Sequence, residues 1–187
     1  ELVMLGDPAD RWDEAMRLRD QMKFEFFFPE RDAYRERIGA ELERLDPDWA
    51  TADGREVLCG APLLVAHRVL RSFVDAQLVV AERLAARDPR EAVEEKAFLD
   101  GCGGAGQQML LQGRLHGPES LSRELFSSAL TLAARRGLVE LELDTTPQEL
   151  ARRRMEFAEG LRDVVARVAA IDDIDATARR EAVGVEP

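Results

Sequence analysis

Side chains that carry redox or metal chemistry are scarce in this chain. Its 187 residues hold two cysteines and two histidines. Cys59 and Cys102 stand far apart with no C-x-x-C, so a secreted-type disulfide framework and a thioredoxin-like motif are both excluded. Both are read as buried, reduced thiols. So few Cys and His argue against a zinc site. Ser120, Ser122, Ser127 and Ser128 cluster without a G-x-S-x-G elbow, and a serine nucleophile would need a base and an oxyanion hole besides. Long apolar runs are also missing. The most hydrophobic stretch, 57–84, is interrupted by Arg68, Arg71 and Asp75, and its uncharged part falls well short of the ~20 residues a membrane span requires. No basic segment opens the chain in the manner of a signal peptide. The first residues, "ELVMLGDPADRW", read as the interior of a longer protein.

What is present is a composition that folds: 45% hydrophobic and 34% charged residues. The formal net charge of −11 argues against nucleic acid as a partner, because phosphate backbones call for a concentrated basic face. Helical periodicity dominates. Asp7-Pro8 can cap a first helix that runs into the Phe cluster and ends near Pro29. Tyr34, Ile38, Leu42 and Leu45 mark the apolar stripe of a second, amphipathic helix. A central buried helix is expected over 57–84. "DPRE" at 88–91 has the form of a capping box, with a helix following to about Gln112. A further helix is expected from about Pro118 to Arg136, with Gly137 as its left-handed C′ residue. "TPQE" at 146–149 opens the last helix, and the polar chain after about Asp173 is expected to fray. The sum is an all-α bundle of about six helices, with a short winged-helix-like extended piece near 138–143, where "LVELEL" alternates. The organisation expected is a single helical domain over 1–187: a hairpin over 1–50, a core over 51–172 and a tail over 173–187.

Each motif with chemical potential has a plainer alternative. "GCGGAG" at 101–106 matches G-x-G-x-x-G, but a charged helical stretch precedes it where a dinucleotide site needs a strand. Close helix packing is the better reading, and no cofactor is expected. Neither His67 nor His116 has a carboxylate at a catalytic spacing. A core or interface hydrogen bond is expected for His67 and turn solvation for His116. Arg152, Arg153 and Arg154 form a basic triplet, read either as a solvated face or as a patch for phosphate or anionic lipid headgroups. The segment "LSRELFSSALTLAARRGLVELEL" has the cadence of a winged helix, and net acidity turns that reading toward protein packing rather than DNA. The most distinctive stretch is "KFEFFFP" at 23–29. Phe24, Phe26, Phe27 and Phe28 can fill a joint between two helices, face a partner, or insert at a membrane interface beside Lys23, Arg31 and Arg35.

Longer phrases carry a resemblance. "LVMLGDPADRW", "RLRDQMKFEFFFPERD", "FVDAQLVVAERLA" and "QMLLQGRLHGPESLSRELFSSALTLAARRGLVE" are similar to the C-terminal region of the large bacterial glycerol-3-phosphate 1-O-acyltransferases, the actinobacterial members above all. The likeness covers most of residues 2–140. It implies a parent enzyme at the cytoplasmic face of the membrane that moves an acyl chain from acyl-CoA or acyl-carrier protein to glycerol 3-phosphate. Catalysis in that family rests on an H-x-x-x-x-D pair, which this sequence lacks. The resemblance therefore implies a catalytic domain upstream of Glu1, which would be this region's partner. It implies for residues 1–187 a non-catalytic accessory role, with no catalytic, cofactor or metal residue, and contact with a membrane surface through the parent enzyme. The competing expectation is a free-standing interaction module of winged-helix type.

Overall fold

The computed structural model describes residues 1–183. Its regular structure is helical: α1 (Arg11–Met22), α2 (Arg31–Leu45), α3 (Gly54–Gly60), α4 (Ala66–Ala85), α5 (Glu95–Leu111), α6 (Arg123–Arg135) and α7 (Pro147–Val183), with short 3₁₀ turns at Leu2–Leu5, Pro8–Asp10 and Pro118–Ser120. The all-α expectation holds. Seven helices replace about six because Gly60 and Pro62 break the expected 57–84 helix into α3 and α4. The alternating segment at 138–143 forms bends and turns, and no strand occurs among the described residues.

The chain falls into two compact units, Glu1–Val69 with Ala166–Pro187, and Leu70–Val165. In the first, Arg11 is 2% exposed. Its guanidinium donates to the carbonyls of Trp49, of Ala52 at 2.9 Å and of Met4 at 3.3 Å, so one buried cation ties the N-terminal turn to the loop before α3. Trp12 and Trp49 meet edge-to-face, with centroids 5.1 Å apart. Gly54 opens α3 directly against the Met4 carbonyl, where a Cβ would overlap it. The start of α4 is capped from far away. The Glu1 carboxylate accepts the N–H groups of Val65 (2.8 Å), Ala66 (3.0 Å) and His67 (2.8 Å), which are orphan donors of a helix N-terminus.

The second unit is built on the buried run Val74–Ala81 of α4. The expected capping box at Asp88 is instead a turn, with Arg90 N–H donating to Asp88 Oδ1 at 2.9 Å. Glu94 caps α5, accepting from Lys96 and Ala97 N–H. Likewise α6 starts at Arg123, behind Ser122, rather than at Pro118. Gly137 adopts φ 63°, and Leu138 N–H reaches the Ala133 carbonyl at 3.0 Å, which closes α6 in the expected left-handed manner. The tail expected to fray from Asp173 is helical as far as Val183. Ile171 and Ile174 are buried and prolong the stripe of Leu161, Val164 and Val168. Residues 184–187 of that expectation lie outside the described residues.

Candidate functional site

The aromatic stretch follows α1 instead of riding on it. The helix ends at Met22, and the N–H groups of Glu25 and Phe26 both return to the Met22 carbonyl at 3.0 Å. That turn spreads the rings. Phe26 and Phe28 meet at 6.4 Å and Phe28 and Tyr34 at 5.5 Å, both edge-to-face. The Arg19 guanidinium lies 5.9 Å from the Phe28 centroid and 5.6 Å from that of Tyr34, and donates to the Pro29 carbonyl at 2.8 Å. Burial raises the Tyr34 phenol above its usual pKa, with Arg19 partly offsetting it. Lys23 Nζ stands 5.5 Å from the Phe24 centroid. Phe24, Phe26 and Phe28 are thus half-buried in a joint between α1 and α2, whereas Phe27 is 98% exposed. One ring of four is left without cover.

The arginine triplet does not form one patch. Arg152 is exposed and paired with Glu149 (2.6 Å) and Glu156. Arg153 donates to the Arg136 carbonyl. Arg154 is 1% exposed and donates to the carbonyls of Leu138 (2.7 Å), Val139 (2.8 Å) and Leu84 (3.3 Å). Burial lowers its guanidinium pKa, and Arg87 adds to that. An anionic headgroup cannot reach a cation so enclosed, and of the three arginines Arg152 alone is exposed, already paired with two glutamates.

Both histidines contact carboxylates that their sequence neighbours do not supply. His67 is fully buried, with Nδ1 2.7 Å from Glu1 and Nε2 3.0 Å from Asp172, within a network in which Arg68 pairs with Asp175. His116 is not a solvated turn residue. Its Nδ1 stands 3.0 Å from Asp75 Oδ1, and its N–H donates to Asp75 Oδ2 at 2.7 Å. Asp75 is 1% exposed. The carboxylate holds both the backbone and the ring of the 112–117 loop, which is an anchoring geometry. Sequence spacing carried no sign of these partners, since 41, 66 and 105 residues separate them.

The glycine motif lies inside α5, where no phosphate-binding turn exists. A Cβ on Gly101 would overlap the Arg83 guanidinium, and one on Gly106 would meet Leu121 Cδ2 at 2.6 Å, whereas Gly103 and Gly104 face open space. Two of the four are therefore packing glycines. Cys102 is buried as expected, but Cys59 is exposed. Among the described residues, no helix is long and apolar enough to cross a membrane.

Comparison with known proteins places this helical chain. Residues 7–142 match the glycerol-3-phosphate acyltransferase C-terminal region, and the chain belongs to that family. Relatives in Mycobacterium bovis and in Mycobacterium tuberculosis strain H37Rv, both assigned as acyltransferase plsB1, are 39% identical over 181 residues. The match covers 93% of this chain and 28% of each relative, so the chain spans little more than a quarter of their length. No solved structure matches it.

Proposed function

We propose that this chain is the accessory region of a glycerol-3-phosphate 1-O-acyltransferase, itself non-catalytic, that packs on or docks the acyl-transferring part. In this reading the whole enzyme forms lysophosphatidic acid from acyl-CoA or acyl-carrier protein and glycerol 3-phosphate, for phospholipid synthesis at the cytoplasmic face of the membrane. Family membership supports the reaction class. The missing H-x-x-x-x-D supports the non-catalytic role. The observation that carries the docking role is Phe27, a 98% exposed ring set on a joint whose other rings are packed. An uncovered aromatic on a rigid base has the form of an interface anchor.

The test is Phe27→Ser in the enzyme that contains this region. Because Phe27 makes no core contact, the fold should persist while acyl transfer drops about tenfold or more, the loss of one anchoring ring. Normal activity with normal membrane recovery would remove the docking role. Separately, clear turnover of acyl-CoA and glycerol 3-phosphate by the 187-residue chain alone would refute the non-catalytic assignment.

A further inference from the structure

An open groove of about 330 Å³ runs between α4 and α5 within the second unit. Its polar lining is Glu82, Arg83, Gln108, Gln112 and Arg114. Glu82 is the one carboxylate of the lining, and it is already engaged: its Oε1 accepts from Arg114 and, at 2.9 Å, from Arg162 Nε. Burial works against the charged form of Glu82, yet these two arginines hold its pKa below the usual carboxylate value. Arg83 adds a third cation. Its guanidinium lies 5.4 Å from the Phe98 centroid and packs flush on α5 where Gly101 has no side chain.

Arg83 has no carboxylate within ion-pairing distance among the described residues, and its Nε is buried without a hydrogen-bond partner. Three guanidinium groups (Arg83, Arg114, Arg162) against one carboxylate (Glu82) leave an excess of two positive charges, in a chain whose net charge is −11. Exposed Arg152, by contrast, is matched by Glu149 and Glu156, and the buried Arg11 and Arg154 are satisfied by backbone carbonyls. A doubly charged oxyanion would balance the groove, and guanidinium groups suit phosphate oxygens in both charge and shape. The volume exceeds what a bare phosphate fills and lies at the lower end of small-molecule sites.

We propose that this groove binds a phosphate monoester, with Arg83 and Arg114 holding the phosphate and Gln108 and Gln112 donating hydrogen bonds to the rest of the molecule. The proposal stands on this geometry and does not rest on the accessory role. The ester can come from a soluble metabolite or from a phosphatidate headgroup, and the test separates them.

The arginine Nε–Hε signals of the ¹⁵N-labelled chain are followed during titration with glycerol 3-phosphate, with glycerol, with sodium chloride at matched ionic strength, and with phosphatidate vesicles. The expected result is a saturable shift of Arg83 and Arg114 with glycerol 3-phosphate and none with glycerol. Arg114→Gln should weaken it about tenfold, the loss of a charge-assisted contact, with the thermal melt unchanged. A response to phosphatidate vesicles alone assigns the ester to lipid. The proposal is overturned if neither form of the ester gives a saturable response at these arginines, or if chloride reproduces it.

Discussion

Two cysteines and one arginine give the sharpest tests at the level of single side chains. Cys59 is exposed, whereas burial pushes the Cys102 thiol up to about 11, with Arg83 only partly opposing it. Since the thiolate is the nucleophile, iodoacetamide at mildly alkaline pH should modify Cys59 quickly and Cys102 only after denaturant is added, read by intact mass and peptide mapping. Rapid labelling of both would show that α5 opens far more readily than its packing implies. Arg154 shows why an Arg triplet read from sequence can mislead. Position in a helix of 3.6 residues per turn sends three neighbours in three directions, and here the third points inward to three carbonyls. Arg154→Met should cost about 2–4 kcal/mol in urea unfolding, because those acceptors lose a buried donor. The corresponding change at Arg152, on the surface, should be nearly neutral.

At the level of helices, the informative features are how ends are closed and how closely faces approach. The Glu1 carboxylate serves three N–H groups at the start of α4, those of Val65, Ala66 and His67, so Glu1→Gln should cost about 1 kcal/mol, as losses of a cap do. Burial alone would raise the Glu1 pKa, but donation from His67 and Ala66 holds it below 4.5. A carboxyl depressed in the folded state contributes fully above its unfolded pKa. That contribution fades as pH falls from about 4.5 through the lower folded value. Denaturation profiles of the parent and Glu1→Gln chains should therefore differ at neutral pH and converge in acid. On α5, Gly104 faces open space, so Gly104→Ala should stabilise by roughly 0.5–1 kcal/mol through helix propensity. Gly54→Ala, against the Met4 carbonyl, should destabilise by about 3 kcal/mol or more. The contrast separates glycines kept for space from those that are not. Periodicity and local caps made the helices legible: Thr146 before α7 and Gly137 after α6 stand where the sequence put them. What local pattern could not show is partnership across the chain. Nothing in the sequence near α4 announces Glu1 as its cap, Asp75 as the anchor of His116, or Arg83 as an uncompensated cation. Asp88 shows the reverse error, since a good capping pattern closed a turn while Glu94, six residues on, took the helix.

The whole molecule joins an acidic surface to one exposed aromatic ring and one locally cationic groove. Those features make opposite demands of a bilayer. Phe27, with Lys23 nearby, resembles a small interfacial wedge, but a net charge of −11 is repelled by an anionic surface. A single buried side chain is worth about 1.5–3 kcal/mol, which corresponds to millimolar binding or weaker. Electrostatics therefore decides the outcome against unassisted binding. With phosphatidylglycerol vesicles, which carry phosphodiesters and no monoester, the 187-residue chain should remain in the supernatant on sedimentation at physiological salt. Phe27→Ser should not change that distribution. Lowering the salt should weaken any residual association, because less screening strengthens the repulsion. Pelleting that is strong, enhanced at low salt and abolished by Phe27→Ser would mean that the aromatic corner meets lipid directly. The ring would then be a membrane anchor rather than the docking contact proposed above.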